Sequence, residues 1–209
     1  MKERPILFAA AMVRAILDGR KTQTRRVLKN QPEIIKDPFP TTDEVKGVFK
    51  FKESTGIYQC LGMQNLIETC PYGQPGDRLW VRETWAQHPQ FADIVFKADG
   101  EEFEDSDGFT WVPKWTPSIH MPRKVSRISL EIIGVRIEPL QEISETDAMC
   151  EGVELVRVSE NDYRFRDYEH DEQTFGKPSQ SFASLFDSIN GQGSWDKNPW
   201  VWVLEFKRC

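Results

Sequence analysis

The sequence predicts an α+β fold, a mixed β-barrel of about six or seven strands with three short helices. Short runs of alternating or β-branched residues recur along the whole chain, without the regular strand–helix alternation of a doubly wound parallel sheet. The 209 residues include 13 Phe, 7 Trp and 13 Pro, which supply bulky core material and many chain breaks. Closure into a barrel would remove the edges that so many aromatic strands would otherwise expose.

Ile6–Phe8 is a short apolar run that reads as a strand. In Ala9–Asp18, Met12, Ala15 and Ile16 fall at helical spacing with Arg14 and Asp18 off the stripe, and Gly19 stands where a helix-ending glycine belongs. Thr22–Leu28 follows as a strand. Residues 29–75 are broken by prolines, with a hairpin expected from Val48–Phe51 and Gly56–Cys60. Pro75-Gly76-Asp77 marks a turn that launches a strand over Arg78–Trp85, within which Arg82 and Glu83 suggest a partly buried ion pair. Ile94–Lys97 is a short strand, and the acidic Glu101–Asp107 reads as a solvated loop. Ser126–Glu138 has the strongest alternation: Ile128, Leu130, Ile132 and Gly134 on one face. Ser144-Glu-Thr-Asp147 resembles a capping box, predicting a helix over Glu145–Glu151 that ends at Gly152. Ser181–Ile189 is an amphipathic helix through Phe182, Leu185 and Phe186, and Trp200–Phe206 is a strongly β run.

The net charge of −6 conceals an asymmetry. Residues 1–36 carry nine Lys or Arg against three acids, whereas residues 139–175 carry eleven acids against three Arg. The overall balance argues against non-specific nucleic-acid binding, but the basic block keeps a local phosphate-facing patch open. No apolar stretch approaches the roughly 20 residues of a membrane span, and Met1–Phe8 is a poor signal peptide. The four cysteines, none in a C-x-x-C pair, read as free thiols, so a cytoplasmic location is expected with no membrane partner. The absence of P-loop, dinucleotide and zinc-protease motifs predicts no nucleotide cofactor and no obligatory metal.

Four pieces occur in order along the chain: Gly19-Arg-Lys-Thr-Gln-Thr-Arg-Arg26 after a helix, Pro75-Gly-Asp-Arg-Leu79, Ile143-Ser-Glu-Thr-Asp-Ala-Met-Cys-Glu-Gly152, and Trp202-Val-Leu-Glu-Phe206. In this ordered set the chain resembles the ASCH family, a branch of the PUA-like β-barrels, and its wording around Gly19 looks like that of phage and prophage members. The resemblance implies one PUA-like domain over residues 1–209, with insertions at about 29–75, 86–120 and 153–180 relative to the small bacterial members. Those members are N4-acetylcytidine amidohydrolases, whose proposed Lys, Thr and Glu fall on Lys21, Thr24 and Glu151. Other members are linked to RNA or DNA binding, some with proposed ribonuclease activity.

The implied chemistry is amide hydrolysis on a modified pyrimidine nucleoside or nucleotide. Thr24 would be the nucleophile and Lys21 its activator, with Glu151 orienting Lys21 or shuttling a proton. Arg20, Arg25 and Arg26, with Trp85, His120 and Arg123, are the expected substrate-binding residues. The alternative is an RNA- or DNA-binding module using the same basic pocket, with or without nuclease activity; single-stranded RNA or DNA is then the partner. A regular strand would put Lys21 and Thr24 on opposite faces, so the catalytic reading requires a turn or bulge at Lys21–Gln23. Glu151, at a helix C-terminus, opposes the helix dipole.

Overall fold

The computed structural model describes residues 1–35, 48–52, 58–88, 93–104, 108, 110–170 and 173–209. The fold is α+β. Its main sheet comprises β1 (Glu3–Leu7), β2 (Gln23–Val27), β3 (Arg78–Arg82), β4 (Ser129–Pro139) and β5 (Trp200–Arg208). The α-helices among the described residues are α1 (Ala10–Leu17), α2 (Met63–Glu68), α3 (Glu145–Cys150) and α4 (Pro178–Asn190). None is long and apolar enough to cross a membrane.

The sheet order is β1-β3-β4-β5-β2, with β1 parallel to β3 and the other pairs antiparallel. The expected closed barrel is therefore not formed: β1 and β2 are edges, and no ladder joins them among the described residues. Helix α1 carries the chain from one edge to the other and packs Val13 and Ile16 into the core, covering the apolar interior without a ladder.

Strand β5 lies between β4 and β2 and serves two cores. Trp202, Leu204 and Phe206 face the larger one, with Ile6, Phe8, Leu79, Leu130 and Ile132. Val201 and Val203 face the other, under Phe182, Leu185 and Phe186 of α4 and Ala148 of α3. Fully burying one such side chain is worth about 1.5–3 kcal/mol, so this period-two alternation anchors both layers.

The alternation expected along β4 holds to Ile132 and then slips by one residue. A bulge between Ile132 and Gly134 leaves Ile133 exposed and sets Gly134 opposite Glu205. A Cβ on Gly134 would lie 2.8 Å from Glu205 Oε2, so any larger residue there would have to displace the Glu205 side chain. Beyond it, Val135 and Ile137 turn to the large core, and Arg136 and Glu138 turn to the face that carries Arg25.

The hairpin expected from residues 48–60 is present as paired strands Val48–Lys52 and Tyr58–Gly62, although Gly56 and Ile57 lie outside the described residues. The sequence signals did not reveal α2, a six-residue helix with no side-chain cap that buries Leu66. They also missed the three-stranded sheet of Leu155–Arg157, Tyr163–Arg166 and Thr174–Phe175, whose strands are too short to show a period. The run expected over Arg78–Trp85 stops at Arg82, and Trp85–Gln87 pairs separately with Ile94–Phe96. Arg82 does not pair with Glu83. Arg82 stacks on Trp80, and buried Glu83 takes two 3.0 Å bonds from the Arg127 guanidinium.

Candidate active site

The loop after α1 brings two distant segments together. Gly19 has φ +75 and turns the chain out of the helix. Lys21 N–H donates to Ala15 O at 2.9 Å, and Thr22 N–H donates to Cys150 O at 2.8 Å. Lys21 and Glu151 thereby form an isolated antiparallel bridge before β2 begins at Gln23. Lys21 thus lies outside β2, in a bridge of its own, and no turn or bulge separates it from Gln23. Gly152, with φ +85, makes the approach feasible: a Cβ there would stand 2.8 Å from Lys21 Cβ and 2.9 Å from Ala15 Cβ.

The Lys21 side chain is wholly buried. Its Nζ donates to Glu151 Oε2 at 2.7 Å and to the Glu151 backbone carbonyl at 2.8 Å. Glu151 is the C-cap of α3, so one ammonium meets both the carboxylate and a helix C-terminal carbonyl. The unfavourable helix position of Glu151 is thus compensated from outside the helix. Burial pushes the Lys21 amine below its ordinary value, and the Glu151 carboxylate opposes that shift.

The other Glu151 oxygen, Oε1, accepts from Arg25 Nη1 at 3.1 Å. Arg25 also donates to Glu138 Oε1 (2.5 Å from Nη2, 3.1 Å from Nε) and to Asp147 Oδ2 at 3.2 Å. Arg136 extends the array to Glu138 at 3.0 Å, to Asp147 at 2.7 Å and to Glu205. Gln23 Nε2 donates to Asp147 Oδ1 at 2.9 Å. Burial would raise the Asp147 carboxyl, but the Gln23 hydrogen bond and the Arg136 and Arg25 charges hold it below its ordinary value. The expected cap is also real, with Ser144 Oγ accepting from Asp147 N–H at 3.0 Å.

A cavity of about 460 Å³ opens beside β2, within the size range of small-molecule sites. Because β2 is an edge strand, both its faces contribute: Thr24 and Arg26 share the face of Leu204 and Trp202, and Arg25 that of Val203. Glu151, Phe8, Tyr72, Phe182 and Phe186 also line the cavity. The Thr24 hydroxyl makes no hydrogen bond among the described residues, to Lys21 or to any other group. Arg26 Nη2 donates to Leu7 O at 2.5 Å, joining the two sheet edges, and its guanidinium lies 5.0 Å from the Phe8 ring centroid.

Of the residues singled out in the sequence, Thr24, Arg25, Arg26 and Glu151 line the cavity, and Lys21 reaches it only through its bond to Glu151. Arg25 is not free to grip a substrate phosphate, since its fully buried side chain is held by three carboxylates. Four others lie outside the cavity lining. Arg20 turns to Asp18 (2.9 Å) and Gly152 O (3.0 Å) in a separate cleft with Arg14 and Tyr168. Arg123 pairs with Glu3 at 3.1 Å beside Trp80. His120 is exposed at the end of a short 3-10 turn. Trp85 is partly buried, and its ring N–H has no partner among the described residues. Sequence reasoning missed Glu138, Arg136, Tyr72 and the phenylalanines of the cavity. The Arg136–Glu138 spacing was visible, but only the bulge puts the two beside Arg25. Among the described residues no group of three or more His, Cys, Asp or Glu is placed to hold a metal ion.

No protein-family model matches the chain, no curated protein is detectably similar to it, and no solved structure matches it.

Proposed function

We propose that the protein hydrolyses the amide of an N4-acylcytidine-type nucleoside or nucleotide, with Thr24 as nucleophile, Lys21 as its activator and Glu151 holding Lys21. The proposal includes membership of the ASCH family and a PUA-like origin for the five-stranded sheet. The carrying observation is the buried Lys21–Glu151 pair, whose Glu151 lines a cavity that Thr24, its hydroxyl uncommitted, also lines. Burial favours the neutral amine, which is the form a general base needs.

In the reaction the Thr24 oxygen bonds to the acyl carbon and its proton passes to the Lys21 amine. No direct Thr24–Lys21 hydrogen bond exists among the described residues, so the transfer runs through one bridging water or a rotation of the hydroxyl. The C–N bond then breaks, the exocyclic N4 nitrogen takes the proton from Lys21, and cytidine leaves. Water cleaves the acyl-threonine ester by the same base, releasing the carboxylic acid and restoring Thr24. Glu151 keeps the amine pointed at the wall and balances its charge whenever it is protonated.

Incubation with N4-acetylcytidine tests the proposal. Release of cytidine that Lys21→Ala abolishes is the expected result; absence of turnover, or full turnover by that variant, refutes it. The RNA- or DNA-binding reading drew on the basic block around Arg25. The engagement of Arg25 with Glu138, Asp147 and Glu151 weighs against it.

A further inference from the structure

Arg25 and Arg26 line the cavity, Lys21 is bound to the lining residue Glu151, and the three cations are treated differently. Lys21 and Arg25 each meet a carboxylate within hydrogen-bonding distance. Arg26 meets none among the described residues: Nη2 is bound to Leu7 O, Nη1 makes no hydrogen bond, and Nε is buried without a partner. A guanidinium has five N–H donors and no acceptor capacity, and a buried donor left unmade is costly. The Phe8 ring supports its face, leaving the edge as the part still able to donate. Phe8 also has the Lys21 ammonium 5.7 Å from its centroid, so one ring of the cavity wall meets both cations.

The register fixes which way this edge is offered. Thr24 and Arg26 are two residues apart on one face of β2, opposite Leu204 and Trp202. Side chains at this spacing are neighbours along a strand, about 6.6 Å apart at their origins. That gap lets an acyl carbon reach the hydroxyl while its oxygen points at the guanidinium.

We propose that Arg26 is the oxygen-binding residue of this cavity, taking the carbonyl oxygen of the substrate amide on its open guanidinium edge. The role rests on the hydrolase reading above and fills the one part of that mechanism left unassigned. As the Thr24 oxygen bonds to the carbon, the C=O π pair moves onto the carbonyl oxygen and makes it an alkoxide. The Arg26 donors stabilise this charge until the pair re-forms C=O and the C–N bond breaks. Burial also pulls the Arg26 guanidinium below its ordinary value, a shift that the Glu151 charge opposes without a direct hydrogen bond.

Two measurements on the whole chain test the role. First, N4-acetylcytidine and its thioacetyl analogue are compared in the wild type and in Arg26→Lys. Sulfur accepts hydrogen bonds poorly, so the oxygen-to-sulfur penalty on kcat should be large in the wild type and largely lost in the variant. The variant itself should lose on the order of 10²–10³-fold in kcat with KM little changed. Second, the Arg26 Nε–H resonance, assigned by its disappearance in Arg26→Lys, is followed while sodium acetate is added to the wild type. A saturable shift supports the role and needs no variant to be active. An unmoved resonance together with an equal sulfur penalty in both proteins overturns it. If acetate binds but no amide is cleaved, the oxygen-binding role stands and the hydrolase reading falls. If amides are cleaved with neither signature, the reverse holds.

Discussion

Replacing Glu151 by Gln removes the carboxylate from the Lys21 ammonium and keeps the shape of the side chain. In the wild type that carboxylate oxygen lies 2.7 Å from Nζ, and both side chains are almost wholly buried. Breaking such a pair from one side costs about 3–5 kcal/mol, because a charge is left buried without its partner. Lysine has an escape, however, since it can shed its proton. Burial already pushes the Lys21 amine below its ordinary value, and only Glu151 resists strongly. With Glu151 neutral, the folded-state amine falls further below the unfolded-state value of about 10.4. Between those two values the unfolded chain binds more protons than the folded one, so stability rises with pH by up to about 1.4 kcal/mol per unit. The Glu151→Gln deficit should therefore be about 3 kcal/mol at pH 7 and shrink as pH rises to 9. Urea unfolding of both proteins at pH 7, 8 and 9 measures it. Parallel stability curves, with a deficit independent of pH, would show that Lys21 does not titrate with the pair and would refute the reasoning.

Three further outcomes follow from the geometry. Thr24→Val should abolish turnover of N4-acetylcytidine yet change stability by less than about 1 kcal/mol, because the hydroxyl has no hydrogen-bond partner among the described residues; assay and thermal melt on one preparation check both parts. Gly152→Ala adds a Cβ that meets Lys21 Cβ at 2.8 Å, at a residue with φ +85, and should cost at least about 2 kcal/mol. Gly191→Ala, with φ +97 but open space around its Cβ, should cost about 1–2 kcal/mol, and equal losses in thermal melts would contradict the close approach. Asp147 opposes burial through the Gln23 hydrogen bond and the Arg136 and Arg25 charges, which hold its folded carboxyl below the unfolded value. Its contribution is present above about pH 4 and is lost as pH falls through the folded value, so Asp147→Asn should flatten the acid limb of the stability profile, read by circular dichroism.

The helices α1, α3 and α4 and strands β2 to β5 were legible because each has a period, a cap or a turn or glycine signal, whereas β1, expected over Ile6–Phe8, runs over Glu3–Leu7. Gly19 and Gly152 announced chain reversals, and both have positive φ. The pairing of Lys21 with Glu151 came from the family resemblance, since 130 residues separate them and no local pattern links them. The open sheet was not legible: whether an edge strand finds a partner is decided by tertiary packing, here by α1 crossing between the edges. Nor was the company of Arg25. Strict alternation along β4 would put Arg136 and Glu138 in the large core, and only the extra residue at Ile133 turns them toward Arg25. A charge read as available to ligand in the sequence was thereby committed to the fold.

The seam between β1 and β2 separates two properties that many folds bind together. A barrel closed by a ladder must break backbone hydrogen bonds, each worth about 1 kcal/mol net, before anything enters through its side. Here the Arg26–Leu7 bond is the cross-link identified between the two edges, and the cavity lies along that line. Opening along the seam therefore breaks no ladder hydrogen bond among the described residues. Core substitutions that raise the melting temperature need not slow the arrival or departure of a ligand, and a change at the seam can alter residence time without moving the melting temperature.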